Sequence, residues 1–585
     1  SEAGSGAAAQ PDGVVFRRTG KGGAVRQLLV RYLRPHSRIL IVIVALLLVQ
    51  AIANLILPSL NADIINYGVV TGDTGYILRV GALMLVMSAF SGAAAVATVY
   101  FSARTAMRVG RDMRGDLFRR VELFSLGQMH SFTVPSLITR NTNDVQQVQM
   151  LIVIGLTMMV LAPITAVGGV IMAIREDVQL SALLLVIVPT MLLVIGIMVY
   201  KTVPLFRVMQ VKVDKVNGVL RENLAGIRVI RAFVRTEHEQ ARFADANDQL
   251  TQVALRVTRL FALIFPLLML VMNLSIVAVI WFGGHLISDG SMPIGNLFAF
   301  QSYIMQILFS VMMAVMTVMM VPRAAASSER VLAVLDTVPD IAEPVAPATV
   351  PTTGRIELRN VEFRYPGAQD SVLQDLSCVF EPGRTTAIVG GTGSGKSTLV
   401  NVLPRLLDVT SGAVLIDGVD IRDLALDDLW SLFGIVPQRG FLFGGTVGSN
   451  VRFGRPDATD EQVWDALTVA QAREFVDLLP EGLDAPVEQG GVNFSGGQRQ
   501  RLAIARCVVR DPLVYLFDDS FSALDYATDA RLRAALAQRT RDKTVIIVAQ
   551  RVSTIMHADT IIVLDGGRIV GTGTHDELLD ECEAY

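Results

Sequence analysis

The stretch Gly390-Gly391-Thr392-Gly393-Ser394-Gly395-Lys396-Ser397-Thr398, directly after the apolar run 386–389, decides the fold of the C-terminal part of the chain. It predicts a strand, a glycine loop and the start of a helix. Because glycine reaches backbone angles that other residues avoid, successive N–H groups can turn inward and hold phosphate oxygens at the positive end of the helix. The stretch therefore predicts a nucleotide site, in which Lys396 contacts the β- and γ-phosphates and Ser397 ligates Mg²⁺.

Two further apolar runs end in polar residues. Residues 513–517 predict a strand that leads to Asp518 and Asp519, and residues 544–549 predict another that leads to Gln550. A carboxylate at the C-terminal edge of a buried parallel sheet can hold Mg²⁺ through water. We expect Asp518 to have this role beside the glycine loop.

The stretch Asn493-Phe494-Ser495-Gly496-Gly497-Gln498-Arg499-Gln500-Arg501 resembles the signature sequence of ABC ATPases. Gln438 after residues 435–437 resembles the Q-loop of that family, and residues 522–525 resemble its D-loop. The resemblance implies ATP and Mg²⁺ as cofactors. It implies Mg²⁺ contacts from Ser397, Gln438 and Asp518, catalytic positions at Asp519 and Gln550, and these ATP contacts: Tyr365 on adenine, Gly390, Gly391, Thr392, Gly393, Ser394, Gly395, Lys396, Ser397, Thr398, Gln438, Ser495, Gly496, Gly497 and Gln498.

The chain departs from the family at two catalytic positions. ABC ATPases normally carry a glutamate where Asp519 stands and a histidine where Gln550 stands. A carboxylate displaced by about 1 Å can cost on the order of 10²-fold in rate, and glutamine cannot carry an imidazolium charge. These changes predict a subunit that binds ATP well and hydrolyses it poorly; a tolerated Glu-to-Asp drift is the alternative for Asp519 alone.

The departure also predicts a partner. In ABC dimers each ATP lies between the phosphate loop of one subunit and the signature of the other. This chain would supply the weak half of one site and an intact signature to the other site. We therefore expect a heterodimer whose second half-transporter brings the missing glutamate and histidine and has an altered signature of its own.

The N-terminal half predicts a membrane protein. Mean hydropathy is +0.48 although 18% of the residues are charged, so the two kinds of residue are segregated. About 20 apolar residues cross the roughly 30 Å of hydrocarbon as a helix, and a soluble core could not bury so many such runs. The predicted spans are residues 39–60, 80–100, 151–174, 178–200, 260–284 and 294–321.

Basic residues predict the orientation, because positively charged loops remain cytoplasmic. Residues 104–140 contain seven arginines and residues 201–256 contain ten lysines or arginines, whereas residues 61–76 and 285–293 contain neither. Both termini and the ATPase domain should therefore lie in the cytoplasm, and we expect the spans to cross the cell membrane, a bacterial inner membrane.

The order of parts resembles an exporter-type half-transporter with domain-swapped helices, fused to an α/β P-loop ABC ATPase domain. The expected domains are a disordered tail at 1–23, a transmembrane domain with an elbow helix at 24–321, a linker at 322–350 and the nucleotide-binding domain at 351–585. Residues 129–146 and 221–233 resemble, by position, the short coupling helices of exporters.

Cargo is the least determined property. The span centres contain no Asp, Glu or Lys, which argues against a dedicated ion pathway, and Met305, Met312, Met316 and Met319 recur at helical spacing. The pattern favours a lipid, fatty acyl compound or hydrophobic drug; ordinary helix packing explains the methionines equally. An ATP-gated channel, a non-hydrolysing regulatory subunit and a lipid importer are alternatives, while a net charge of −3 gives no footprint for nucleic acid.

Overall fold

The computed structural model describes residues 21–585 and divides into two compact units. An α/β unit contains residues 119–137 and 336–585, and a helical unit contains the described residues up to 118 together with 138–335. Residues 1–20 of the expected N-terminal tail lie outside the described residues.

The helical unit and the segment that joins its second and third spans consist of long helices connected by a few short ones. Their bounds are α1 Lys21–Leu33, α2 Ser37–Asp63, α3 Thr74–Glu122, α4 Leu126–Phe132, α5 Val134–Thr139, α6 Val145–Ile154, α7 Val160–Glu176, α8 Val178–Ser181, α9 Leu184–Ala232, α10 Thr236–Ser288 and α11 Ile294–Leu335, with π-helical turns at Ile64–Val69, Arg140–Asp144 and Gly155–Met159.

The prediction of six membrane spans is confirmed. In the described part of the chain, six helical segments are long and apolar enough to cross a bilayer: Gly23–Val69, Thr74–Glu122, Val134–Glu176, Val178–Ala232, Thr236–Ser288 and Ile294–Leu335. With 42 to 55 residues each, they are about twice as long as a bilayer requires. Most of them therefore extend well beyond the hydrocarbon.

Two expected boundaries differ from the structure. Residues 322–335 of the expected linker continue helix α11. Pro322 removes one helical hydrogen bond, but the burial of Val331, Val334 and Leu335 outweighs that loss. Residues 221–232 belong to the uninterrupted helix α9 rather than to a separate short helix.

Helix α1 begins the helical unit. It covers most of the expected elbow helix and buries Ala24, Leu28 and Tyr32, which lie on one face because they are spaced by four residues. The Tyr32 hydroxyl donates a hydrogen bond of 2.8 Å to the Asp116 carboxylate on α3. Helix α1 is thus fixed to the second span; its position along the cytoplasmic surface stays a prediction.

A buried carboxylate joins the third and sixth spans. The Asp144 side chain, 3% exposed, accepts a hydrogen bond of 2.7 Å from Arg330 Nε and one of 3.0 Å from Ser327 Oγ. Arg330 Nη2 contacts Asp144 Oδ1, the oxygen that Ser327 also bonds, and Arg140 Nη1 donates to the Arg330 carbonyl at 3.0 Å. Since a planar guanidinium matches a carboxylate with two parallel bonds, this contact fixes the relative rotation of the two helices.

The α/β unit contains the remaining elements. The strands are β1 Ile356–Phe363, β2 Leu373–Phe380, β3 Thr385–Gly390, β4 Ser411–Ile416, β5 Val419–Asp420, β6 Phe433–Val436, β7 Gly445–Thr446, β8 Pro486–Val487, β9 Val514–Asp518, β10 Thr544–Val548, β11 Thr560–Asp565 and β12 Arg568–Gly573. The helices are α12 Lys396–Val402, α13 Leu426–Ser431, α14 Val447–Arg452, α15 Asp460–Val469, α16 Arg473–Asp477, α17 Gly496–Arg510, α18 Tyr526–Arg539, α19 Val552–Ile555 and α20 His575–Glu581.

A six-stranded sheet forms the centre of this unit, with the order β12-β11-β3-β10-β9-β6. All neighbouring pairs from β11 to β6 are parallel, and β12 is antiparallel to β11. A second sheet has the order β2-β1-β4-β5, with antiparallel pairs. The central sheet confirms the predicted α/β fold.

Side chains of the central strands alternate between two apolar cores. Tyr515 and Phe517 of β9 belong to the core formed with α17, whereas Val514 and Leu516 belong to the core formed with β1, β2 and α12. This alternation follows from the two-residue period of a strand. Because both faces are covered, the strands are apolar throughout, as parallel sheets require.

The short helix α4 lies in the α/β unit, attached to the segment that follows α11. The Gln128 amide donates to the Val338 carbonyl at 2.7 Å and to Asp340 at 2.9 Å, and Ser125 Oγ donates to Asp340 at 3.1 Å. Leu126 packs against the core of the α/β unit. The segment between the second and third spans thus contributes a docked helix, whose contacts come from residues just before the expected coupling segment 129–146.

We expect Asp144→Ala to lower the free energy of unfolding by about 1–3 kcal/mol, because Ser327 and Arg330 lose their acceptor in a partly buried contact. SDS-induced unfolding of the full chain in mixed micelles measures this. Asp112→Ala is the matched control: its pair with Arg111 is exposed, so the loss there should stay below about 1 kcal/mol. Equal losses in the two variants would contradict a special role for the Asp144 contact.

Candidate functional site

The glycine loop has positive φ angles at Gly390, Gly393 and Gly395, and at the first and last of these an added Cβ would also collide with neighbouring atoms. Gly390 at the end of β3 has φ of 155°, and a Cβ there would lie 2.1 Å from the Leu564 carbonyl oxygen. Gly395, directly before α12, has φ of 99°, and a Cβ there would lie 2.7 Å from the Leu373 side chain. The loop therefore runs from the end of β3 into α12 as predicted, with its backbone N–H groups at the helix start.

Lys396 lies back on this loop. Its Nζ donates hydrogen bonds of 2.7 Å to the carbonyls of Gly390 and Gly391 and lies 3.3 Å from Ser394 Oγ. Burial lowers the pKa of the ammonium group, and the two acidic residues at the end of β9 partly oppose that shift. A cation held at this point can interact with phosphate oxygens that enter the loop.

Asp518 ends β9 opposite Val548 of β10, and Val548 pairs in turn with Ile388 of β3. This register brings Asp518 to the same edge of the sheet as the glycine loop. Burial raises the pKa of its carboxyl group, and the neighbouring charge of Asp519 raises it further. A bound cation would oppose both effects, which makes this carboxylate a reasonable Mg²⁺ contact.

Asp519 is held in an unusual position. Its φ is 47°, in the left-handed region that aspartate tolerates better than most residues. The side chain is 8% exposed, its backbone N–H donates to the Val548 carbonyl at 2.9 Å, and Gln438 Nε2 donates to Asp519 Oδ2 at 3.2 Å. The predicted Q-loop glutamine and the predicted catalytic carboxylate therefore contact each other directly, which the sequence did not reveal.

Gln550 follows β10 and is exposed. It lines a cavity of about 320 Å³ together with Lys396, Gly390 and Thr392 of the loop. Tyr585 also lines this cavity, and its hydroxyl lies 2.6 Å from His575 Nδ1. The contribution of Tyr585 was missed, because no motif marks a residue so far along the chain from the loop.

Tyr365 lies just after β1. Its ring packs edge-on against Phe363, with 4.8 Å between centroids, and its hydroxyl lies 3.2 Å from Thr398 Oγ1 at the start of α12. Tyr365 as a whole is 38% exposed. An exposed aromatic face beside the helix that carries Lys396 can stack on a purine base.

The signature residues begin helix α17. Ser495 and Gln498 form a reciprocal cap, in which Gln498 N donates to Ser495 Oγ at 3.2 Å and Ser495 N donates to Gln498 Oε1 at 2.9 Å. The helix therefore starts at Gly496, where free N–H groups and the helix dipole favour an anion. Among the described residues that line the cavity at Lys396 and Gln550, none comes from this motif.

Metal binding at this edge of the sheet would depend on the nucleotide. Within residues 21–585 no group of three His, Cys, Asp or Glu side chains could hold a metal ion. Ser397, Gln438 and Asp518 offer only one carboxylate, so a Mg²⁺ ion here would need phosphate and water oxygens as well.

Comparisons with known proteins agree with this geometry. Residues 40–311 match the family model described as ABC transporter transmembrane region, and residues 373–522 match the family model described as ABC transporter. An uncharacterized ABC transporter ATP-binding protein of Mycobacterium tuberculosis is 48% identical over 563 residues, which cover 95% of this chain and 96% of that protein.

A multidrug efflux ATP-binding/permease protein of Mycobacterium bovis is 35% identical over 490 residues, which cover 83% of this chain and 40% of that protein. The solved structure of a bacterial Atm1-family ABC exporter with ATP bound is similar, with a TM-score of 0.76 and 26% identity over 94% of this chain and 96% of that chain.

Six spans, an α/β ATPase domain and these relatives together describe an ATP-binding, ATP-hydrolysing transporter. Half-transporters of this kind work as dimers, with the ATPase domain on the cytoplasmic side of the bacterial inner membrane. The chain belongs to the ABC transporter family, as an exporter-type half-transporter that couples ATP hydrolysis to transport.

Proposed function

We propose that this chain is the subunit with the weakly hydrolysing ATP site in a heterodimeric exporter of hydrophobic or amphipathic molecules. The contact between Gln438 and Asp519 is the observation that carries the proposal. A general base must reach the attacking water in a near-attack geometry. A carboxylate that is one methylene shorter than glutamate, and already bonded to Gln438, starts further from that geometry.

The backbone conformation is consistent with a short side chain here. Asp519 has φ of 47°, a left-handed angle at which a short polar side chain is tolerated. The aspartate is therefore compatible with the backbone at this position. A tolerated drift from glutamate would leave the rest of the site unchanged, whereas here the second catalytic position differs as well.

Gln550 is that second position. It shares the cavity with Lys396, so its amide can donate a hydrogen bond to a γ-phosphate. It cannot supply the positive charge that a protonated histidine would bring to the same place. ATP binding at the loop is retained in this arrangement, while stabilisation of the transition-state charge is reduced.

The signature supports an asymmetric dimer. The cap between Ser495 and Gln498 is intact, so this chain can complete an ATP site whose loop, glutamate and histidine belong to its partner. A homodimer of this chain would instead contain two weak sites. The proposed partner is thus a second ABC half-transporter with a competent catalytic pair.

The cargo proposal rests on how the helical unit uses its polar side chains. Ser91 Oγ on α3 donates to Asn54 Oδ1 on α2 at 2.8 Å, and Asn66 Nδ2 donates to Asn296 Oδ1 on α11 at 2.9 Å. Ser59 Oγ donates to Glu176 Oε1 at 2.6 Å, at the end of the third span. Because these groups bond neighbouring helices, the remaining span surfaces are largely apolar and suit a lipid, a fatty acyl compound or a drug.

ATPase activity tests the asymmetry. We expect the purified chain alone to hydrolyse MgATP slowly, and the double variant Asp519→Glu with Gln550→His to raise its turnover by about 10- to 100-fold, because the base regains its reach. Asp511→Glu is the matched control: Asp511 has φ of 51° at the end of α17, so it receives the same change in the same backbone conformation outside the site. Fast turnover by the unmodified chain would contradict the proposal.

The partner is tested by co-expression with a candidate half-transporter encoded beside it. Robust activity of the pair should disappear when the partner's catalytic glutamate is replaced, and should persist when Asp519 is replaced by Asn. Loss of activity with Asp519→Asn alone would show instead that this chain carries the main hydrolytic site.

Cargo is tested by stimulation of that activity in nanodiscs. Fatty acids and cationic amphiphiles should raise the turnover of the pair, and neutral sugars should leave it unchanged, because the spans are strongly apolar. A pair in which Lys396→Ala is combined with replacement of the corresponding loop lysine in the partner gives the background ATPase rate. A steady ion current on addition of MgATP, without stimulation by any amphiphile, would favour the channel alternative.

A further inference from the structure

The residue after Gln550 contacts the loop that follows the catalytic carboxylate. Arg551 Nη2 donates to the Ser522 carbonyl at 2.9 Å, and Arg551 Nη1 lies 3.4 Å from the Leu524 carbonyl oxygen. The guanidinium carbon lies 5.3 Å from the ring centroid of Tyr526. One side chain thus attaches the end of β10 to residues 522–526.

This loop is fixed at its two ends. At its start, Ser522 Oγ donates to the Asp519 carbonyl at 2.8 Å. At its end, the Asp525 carboxylate accepts a hydrogen bond of 2.9 Å from Thr528 N and caps helix α18. The two carbonyls bonded by Arg551 belong to Ser522 and Leu524, which precede the capping residue Asp525.

The opposite side of the loop faces the signature. A Cβ on Gly497 would lie 3.3 Å from the Ala523 carbonyl oxygen and 3.8 Å from the Leu524 side chain. Ala523 and Leu524 therefore separate Arg551 from the start of α17 by a single layer of backbone. A movement of residues 522–524 would therefore change the contact with Gly497 at the start of the signature helix.

We propose that Arg551 is a positioning residue that couples the ATP site of this chain to the signature, Ser495 to Gln498, which it presents to its partner. A γ-phosphate that engages Gln550 moves the end of β10, Arg551 moves with it, and the bonded carbonyls shift residues 522–524 against Gly497. Occupancy of the weak site would thereby adjust hydrolysis in the partner's site. This inference rests on the proposed asymmetric dimer.

The contact requires arginine. A planar guanidinium can bond two carbonyls and lie on an aromatic ring at the same time, whereas a lysine ammonium is a compact point charge on a flexible stem. Arg551→Lys should therefore keep the positive charge and lose the defined geometry. Arg551 touches neither nucleotide nor metal in this role, so its substitution should leave the affinity of the weak site for MgATP unchanged.

A double-mutant cycle on the full heterodimer tests the coupling. Lys396→Ala in this chain empties the weak site, and Arg551→Lys breaks the proposed link; turnover of the partner's site is measured at saturating MgATP. We expect each single variant to lower kcat by about tenfold or more. The double variant should be no slower than the slower single variant, because both interrupt the same path.

Independent structural effects would give a different result. Two unconnected substitutions multiply their effects to within about twofold, so a double variant that shows the full product of the two losses would overturn the inference. Arg510→Lys is the matched control: its Nη2 donates to the Trp430 carbonyl at 2.9 Å in the same domain. Its effect, if any, should multiply with that of Lys396→Ala.

A second pair of variants guards against misfolding of Arg551→Lys. Tyr526→Leu removes the ring beside the guanidinium and should weaken the coupling, whereas Tyr526→Phe keeps the ring and should preserve it. Equal coupling in both would contradict the proposed geometry. Fast ATP hydrolysis by the lone chain would contradict the asymmetric dimer. The same double-mutant cycle could then be measured on the activity of the lone chain. Failure of the dimer proposal and failure of the Arg551 coupling can therefore be distinguished.

Discussion

The parallel pairing of β10 with both β3 and β9 is the constraint on which the ATP site depends. Val548 pairs with Ile388 on one side and with Asp518 on the other, so three strands end together. The glycine loop, the carboxylates and Gln550 follow those ends and meet at one edge of the sheet, although they are separated by up to about 160 residues in the sequence. Burial of the strands in two apolar cores resists slippage, because a shift of one residue would exchange the cores that each side chain enters.

Within this frame, small chemical differences have large consequences. The strand register fixes where the backbone of each site residue lies, and the chemistry of its side chain determines which interactions it can make. At Asp519 the carboxylate is short, the backbone is left-handed and Gln438 donates a hydrogen bond to the side chain; the proposed weak hydrolysis rests on these three features. Lys396, the glycine loop and the cap of α17 keep the geometry that nucleotide binding needs. Binding and hydrolysis can therefore diverge in one fold.

The helical unit obeys a different constraint. Hydrocarbon provides no partners for backbone N–H and C=O groups, so the spans must remain helical throughout. Polar side chains then become the specific contacts between apolar helices. The bonds of Asn54 with Ser91 and of Asp144 with Arg330 fix neighbouring helices at defined points, and Tyr303 is fully buried while bonded to Ser59. These contacts occupy groups that would otherwise be available to a polar cargo.

The sequence by itself determined the six spans, the α/β ATPase fold and the family, because apolar length, strand period and loop motifs are local in the chain. It also singled out Asp519 and Gln550, since each lies at a fixed offset from its motif. Only the tertiary structure decided what depends on distant neighbours: the bond between Gln438 and Asp519, the attachment of Arg551 to residues 522–524, and the presence of Tyr585 beside the loop. Helix α11 was extended past Pro322 for the same reason, because burial of its later residues outweighs one lost hydrogen bond. Local patterns specify elements, whereas contacts between elements arise only when the cores close.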